Sequence, residues 1–430
     1  MHARPLVFLV LVACGSKRAP EPPMPITETP ASTSTNTTPV ASAPASAPEP
    51  PKATNGEPEV SPTESADVPG ANAFGWKILA QTGKATENAL VSGASIRQAL
   101  SPLLTGARGP TADEMARALA LEASPSTVLA QERDRWDFAR GGAEGGAPPG
   151  IELATANRLW VAKGFALLPD FTQKVSAMGV TAPESVDFGQ PRTRETINAW
   201  VSEQTRAKIP ELLPSGSLDA RTKLVVTNAI WFKGRWSQPF PEGATKDAPF
   251  KGARTSNVPT MEVTDSFGFA ESNGTKLVEL RYANSQLAMV VVLPTAGKKP
   301  DLAAIESTAL KTQRVHVSLP KFTFKSGGPM KDALASLGMK TAFTDRADFS
   351  GIADAKTAEK LSVGQVFHQT WIAVDERGTE AAAATGGTMH TTAMPMGPVA
   401  EFKADHPFWF AIRETKTGRI LFAGRVTDPK

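Results

Sequence analysis

Cysteine is almost missing from this chain of 430 residues, with Cys14 the only one. That isolation excludes an internal disulfide and a cysteine-rich metal site, so stability has to come from packing. An excess of one charge is missing as well. Lys and Arg total 46 against 43 Asp and Glu, a net charge of +3, too balanced for a surface that tracks phosphates. Nucleic acid is therefore not expected as a partner. Histidine is scarce, at positions 2, 316, 368, 390 and 406, and no Gly-x-Ser-x-Gly elbow occurs, so a serine–histidine hydrolase lacks its parts. The chain is not expected to be an enzyme, and no metal or other cofactor is implied.

What is present begins with 41% hydrophobic positions, enough to bury one large core or two ordinary ones. Met1-His2-Ala3-Arg4 precedes an apolar stretch from Pro5 to Ala13 that is too short to span a bilayer and fits an export signal over residues 1–13. Leu11-Val12-Ala13-Cys14 resembles a lipobox, the bacterial lipoprotein cleavage site at which the cysteine becomes the lipidated amino terminus. An ordinary signal peptide with an incidental cysteine is the alternative. Acyl chains on Cys14 would hold an exported protein at a membrane surface, in the periplasm or at the cell surface. Residues 14–70 are dominated by Pro, Ala, Ser, Thr and Glu, cannot repay their ordering entropy by burial, and read as an extended tether. At about 3.1 Å per residue such a tether reaches on the order of 100 Å or more.

Periodic order runs from Ala71 to Lys430, which is read as one domain. Helical spacing marks Ala94 to Leu104, Thr111 to Leu121 and Thr193 to Thr205, and Thr111 with Glu114 suggests a capping box after Pro110. Leu224 to Phe232, Leu287 to Leu293 and Val315 to Leu319 are rich in β-branched residues and read as strands. Helices cluster early and strands later, the pattern of an α+β domain.

Thr227-Asn228-Ala229-Ile230-Trp231-Phe232-Lys233-Gly234-Arg235-Trp236, followed by Phe240, resembles the strand of the serpin family that ends in a buried tryptophan. Ile197-Asn198-Ala199-Trp200-Val201, Ser92 with Ser95-Ile96, Leu319-Pro320-Lys321-Phe322, Ala347-Asp348-Phe349-Ser350 and Asp405-His406-Pro407-Phe408 are similar to further blocks of that family, in family order. Gly93 departs from the pattern, standing where the family usually has proline, a change expected to loosen that turn. The resemblance implies a serpin fold of three β-sheets surrounded by about nine helices, with an exposed reactive-centre loop at about 376–401. It implies a monomer that inhibits serine proteases, with cysteine proteases as a further class, by a covalent complex with the target. The alternative is a serpin fold that binds or supports without inhibiting. The resemblance also places Ser92, Ser95, Asn228 and His368 in a polar cluster beneath an opening sheet, and Glu376 in an ion pair with Lys321 near Trp236. Taken alone, His368 could be a metal ligand or a base, but no second histidine or cysteine has suitable spacing.

The stretch from Asp375 to Met396 is small and polar, and without family knowledge it is an exposed loop. Its alternation says more. As a strand, Thr379, Ala381, Ala383 and Thr385 share one face, all small enough to enter between existing strands, while Glu380 lies on the other. Gly378 would give a hinge free of side-chain restriction. The alanine run alone fits a helix or low complexity equally well. Family spacing from Glu376 implies a reactive bond at Thr392-Ala393, with Thr391, Met394 and Met396 as alternative specificity residues. No Lys or Arg occurs between Arg377 and Lys403, so a trypsin-like pocket has nothing to pair with, and elastase-like or subtilisin-like enzymes are the expected targets.

Overall fold

A computed structural model describes residues 67–122, 127, 150–178, 180–300, 302, 306, 308–354, 361–379 and 398–430. The first described helix, α1 (Val68–Ala80), starts three residues ahead of the expected domain start. The α-helices after it are α2 (Gly93–Gly106), α3 (Gly109–Ala118), α4 (Pro169–Ala177), α5 (Pro191–Gln204) and α6 (Lys331–Ser336). None of them is long and apolar enough to cross a membrane.

The run from Leu224 reads as a strand because β-branched and aromatic residues fill both of its faces. It forms β4 (Leu224–Arg235), buried along nearly its whole length. On one side it pairs antiparallel with β2 (Ile151–Ala162), which pairs in turn with β3 (Glu184–Val186). On the other side it runs parallel to β11 (Val363–Asp375), from Val363 opposite Leu224 to Trp371 opposite Trp231. The two-residue strand β12 (Gly378–Thr379) sits between β11 and β4 above that point. With β10 (Phe322–Pro329) at the edge, the order is β10-β11-β12-β4-β2-β3.

The second sheet contains β1 (Ala89–Val91), β5 (Lys246–Lys251), β6 (Thr255–Ser272), β7 (Thr275–Arg281), β8 (Leu287–Leu293), β9 (Lys311–Pro320), β13 (Ala400–Lys403), β14 (Phe408–Glu414) and β15 (Ile420–Val426). The expected three sheets thus appear, among the described residues, as two hydrogen-bonded networks with six α-helices. The reason is β6. Its 18 residues pair with β5 at one end, β9 in the middle and β7 at the other end, so one strand carries a continuous ladder across what would otherwise be two sheets.

Three apolar cores position the functional surfaces. One lies around α1, α2 and α3 and includes Phe74, Leu100, Met115 and Val226. A second joins the two sheets through Ile230, Phe232, Tyr282, Phe322 and Phe410. A third fills the space between α5 and the central sheet with Trp160, Ile197, Val201, Val225 and Phe367. At the start of α1, Asp67 is buried against two buried guanidiniums, Arg97 at 2.6 Å and Arg419 at 3.2 Å.

Two local expectations are corrected. The capping box does not form: α3 begins at Gly109, with Pro110 in its first turn where a missing N–H is harmless. Thr111 Oγ1 instead accepts from the Asp348 amide at 2.9 Å. The Glu114 carboxylate accepts from the Lys340 amide, the Thr341 amide and the Thr341 hydroxyl at 2.9, 2.7 and 2.8 Å. Those bonds hold its pKa below the ordinary glutamate value. A distant turn offered better partners than the local one. The second correction concerns Gly93, which does not loosen its turn. Ser92 caps α2, its Oγ accepting from the Ser95 amide, and a Cβ on Gly93 would lie 2.8 Å from Gly75 Cα of α1. Two helices approach closely there, which demands glycine.

Candidate functional site

The site is built where β4 and β11 part. Asp375 ends β11 and its Oδ1 accepts from the Arg377 and Gly378 amides, a side-chain turn that reverses the chain. The reversal sends Gly378 and Thr379 down between the two strands, with Gly378 opposite Asp375 and Arg235, and Thr379 opposite Val374 and Gly234. Gly378 is required here for a reason other than hinge freedom. A Cβ on it would stand 2.0 Å from the Gly234 carbonyl oxygen. Gly234 is constrained likewise, since its own Cβ would meet the Tyr282 ring at 2.5 Å. Two glycines set diagonally across the β12–β4 pairing thus make room for the short strand.

Thr379 is fully buried, and its hydroxyl hydrogen-bonds the Tyr282 hydroxyl at 2.8 Å. Tyr282 is the chain's sole tyrosine. Its ring stacks on Trp236 with centroids 4.8 Å apart and meets Phe232 edge-on at 5.1 Å. Burial pushes the Tyr282 pKa far above its ordinary value, so the phenol stays protonated. Trp236 Nε1 donates to the Asp375 carbonyl at 3.0 Å, tying the same aromatic cluster to the turn.

Glu376 crowns this point. Lys321 Nζ reaches both its oxygens, at 2.8 and 3.0 Å, and Thr245 Oγ1 donates at 2.7 Å. Burial pushes the carboxyl pKa up, but the bonds from Lys321 and Thr245 outweigh it, leaving the pKa below the ordinary value. The pair is more sheltered than an exposed surface contact, because the Glu376 side chain is only 11% accessible.

The second group lies lower in the sheet and brings together Ser92, Ser95, Asn228 and His368, all fully buried. His368 Nδ1 donates to Asn228 Oδ1 at 2.5 Å, and Nε2 accepts from the Ser92 amide at 3.2 Å, the pattern of a neutral ring. Burial lowers the His368 pKa to about 3, the bond to Asn228 opposing it only in part. Asn228 Nδ2 donates to Ser95 Oγ at 2.6 Å and to Asn157 Oδ1 at 2.5 Å, and Ser92 Oγ donates to the Leu421 carbonyl at 2.8 Å. The bonds between His368 and Asn228 and between Asn228 and Asn157 link side chains on β11, β4 and β2, so any parting of β11 from β4 must exchange one of them. No three His, Cys, Asp or Glu side chains converge as metal ligands among the described residues.

Ala381, Ala383, Thr385, Thr391, Thr392, Ala393, Met394, Met396 and Cys14 lie outside the described residues. Reading the sequence missed Tyr282, Thr245 and Asn157. The one available signal was the rarity of tyrosine. The other two are polar residues whose partners come from distant strands.

A family model described as serpin (serine protease inhibitor) matches residues 69–429. A leukocyte elastase inhibitor of Bos taurus is 37% identical over 363 residues, covering 80% of this chain and 93% of that protein. An uncharacterized serpin-like protein of Thermococcus kodakarensis is 36% identical over 380 residues, covering 84% and 85% respectively. Among solved structures, a serpin of the insect Tenebrio molitor superposes with a TM-score of 0.72 at 30% identity, over 85% of this chain and 98% of that one. Sequence relatives and fold agree that this chain belongs to the serpin family of serine protease inhibitors.

Proposed function

We propose that the chain is a suicide-substrate inhibitor that traps serine proteases as acyl-enzymes by drawing the cleaved segment beyond Thr379 into the central sheet as a full strand. The observation that carries this reading is β12, whose Gly378 and Thr379 already pair with both β11 and β4. From Thr379 to Thr392 the segment would supply 14 residues, roughly 45 Å of strand. The inserting side of that segment holds Thr379, Ala381, Ala383 and Thr385, small enough to displace nothing but the opposing strand.

The reactive bond in this reading is Thr392-Ala393. The absence of Lys and Arg between Arg377 and Lys403 favours proteases with small or medium apolar pockets, of elastase-like or subtilisin-like type. Relatives named as leukocyte elastase inhibitors are consistent with that preference. Cys14 is the proposed lipid attachment point, and residues 14–70 the tether that presents the inhibitor outside the cytoplasm.

Incubating the chain with elastase, subtilisin and trypsin separately tests the reading. Expected are SDS-stable complexes with one or both of the first two and a large rise in melting temperature after loop cleavage. Clean cleavage with release of active protease, and no thermal gain, would leave the non-inhibitory alternative. Mass spectrometry of the mature amino terminus from a lipoprotein-processing bacterial host tests Cys14, and an unmodified thiol overturns that assignment.

A further inference from the structure

The wedge made by β12 ends just above one rung. Below it β4 and β11 pair directly, and the last rung before they part sets Trp371 opposite Trp231. Side chains alternate along a strand, so these two rings lie on the face away from Thr379 and Tyr282, the face covered by α5. The chain leaving α5 crosses both of them. The Arg206 guanidinium carbon stands 5.3 Å from the Trp231 ring centre, and Lys208 Nζ stands 4.9 Å from the Trp371 ring centre.

Two cations only two residues apart thus reach two different strands. The backbone between them is unusual: Arg206 and Ala207 have φ of 52° and 60°, left-handed values that side-chain-bearing residues rarely adopt. The turn is held by Ala207 N donating to the Ser202 carbonyl at 2.7 Å and Lys208 N donating to the Thr205 carbonyl at 3.0 Å. Glu152 of β2 pairs with Arg206 and, at 2.9 Å, with Lys233 of β4, fixing the near end of the bridge to the β2–β4 side.

We propose that Arg206 and Lys208 form a cation–π staple across the last closed rung, and that this staple sets how readily the central sheet admits a further strand. The inference rests on the strand-insertion reading above. Admitting a strand moves β11 from β4 by one further strand spacing, about 4.8 Å. Added to the 4.9 Å already separating Lys208 from its ring, that exceeds the roughly 6 Å within which a cation and a ring attract. Arg206 is held to β2 and β4, so the Lys208–Trp371 contact is the one that breaks. In the register set by Thr379 opposite Gly234, the residue arriving between the rings is Ala382, small enough to enter once they part. The staple therefore resists the opening of the first closed rung without resisting the opening of those below it.

The test is the rate at which the intact chain takes up a synthetic peptide of its own sequence from 379 to 392. Uptake is followed by native electrophoresis and by the gain in melting temperature. Lys208→Gln removes the cation and should accelerate uptake about three- to five-fold, with the unfolding midpoint of the intact chain lowered by no more than about 1–2 °C. Trp371→Leu removes the ring face and should accelerate it similarly, whereas Arg206→Lys keeps a cation and should stay near the wild-type rate. Uptake by Lys208→Gln at the wild-type rate, or acceleration that merely tracks a lowered unfolding midpoint, overturns the staple. If the wild-type chain takes up no peptide and gains no heat stability on loop cleavage, strand insertion itself falls and the staple falls with it.

Discussion

At the scale of single residues, the contact between Tyr282 and Thr379 shows how a buried polar pair fixes the end of β12. Each hydroxyl is removed from water and has the other as its partner. Tyr282→Phe strands the Thr379 hydroxyl, and urea denaturation of the intact chain should show a loss of about 1–2 kcal/mol. The double variant Tyr282→Phe with Thr379→Val removes both polar groups and should recover part of that loss, a coupling that a double-mutant cycle measures.

His368 makes a second residue-scale prediction. Its folded pKa, about 3, lies below the ordinary 6.5, so between those values the unfolded chain binds a proton that the folded chain refuses. Stability therefore rises with pH across this window and is progressively lost as pH falls below 6.5. At pH 5 the loss from this group alone is about 2 kcal/mol. Glu376 has the usual carboxylate sign: its contribution is present above pH 4.5 and disappears as pH falls through its lowered value. The interval between 4.5 and 6.5 thus separates His368 from Glu376; Glu306, whose carboxyl pKa burial raises above 4.5, is common to wild type and variant and cancels in their comparison. Denaturation midpoints of wild type and His368→Gln across that interval should diverge in slope, and parallel curves would contradict the assignment.

Single positions were legible where one residue type carries its own constraint, and illegible where the constraint comes from elsewhere. The local spacing of Thr111 and Glu114 suited a capping box, yet Asp348 and Thr341 claimed both side chains. Gly378 stands out in the sequence for backbone freedom, whereas its requirement is the Gly234 carbonyl pressed against its Cα.

At the scale of elements, the sequence marked where periodic segments lie. The helix expected over Ala94 to Leu104 runs from Gly93 to Gly106, and the strand expected over Leu287 to Leu293 has those bounds. Apolar period is a local property and is visible without the fold. Partnering is not: nothing in the run from Thr255 to Ser272 announces that one strand will pair successively with β5, β9 and β7. The strand proposed to insert also belongs to this scale. By alternation from Thr379, Ala383 would fall on the slim face of that strand, and Ala383→Glu would then bring a charge under the closing sheet. The variant should be cleaved at the wild-type rate while yielding mostly released protease on SDS gels. Undiminished complex would exclude insertion at that position.

At the scale of the whole molecule, the central sheet is closed over most of its length and open at one end. That asymmetry could be inferred only through likeness to a family, because it depends on how β11 and β4 are placed by every element around them. If the proposed insertion occurs, differential scanning calorimetry on intact and loop-cleaved chain should show a shift of tens of degrees, since the cleaved form would gain a strand's worth of paired backbone and buried side chains. Coincident transitions would remove the stored free energy on which the proposal depends.

The short strand of Gly378 and Thr379 also bears on kinetics. Starting a new strand inside a finished sheet is a nucleation problem, in which rungs must be surrendered before any are regained, much as a helix loses entropy over its first turn before bonds accumulate. Here the first rungs already exist in the resting molecule. If the proposed insertion occurs, growth from them would be propagation, and from Trp231 opposite Trp371 onward each advance would trade a single direct rung between β4 and β11 for two new ones. In the proposed mechanism it would run like a zip fastener whose slider is already engaged and whose first closed tooth is the rung of Trp231 and Trp371.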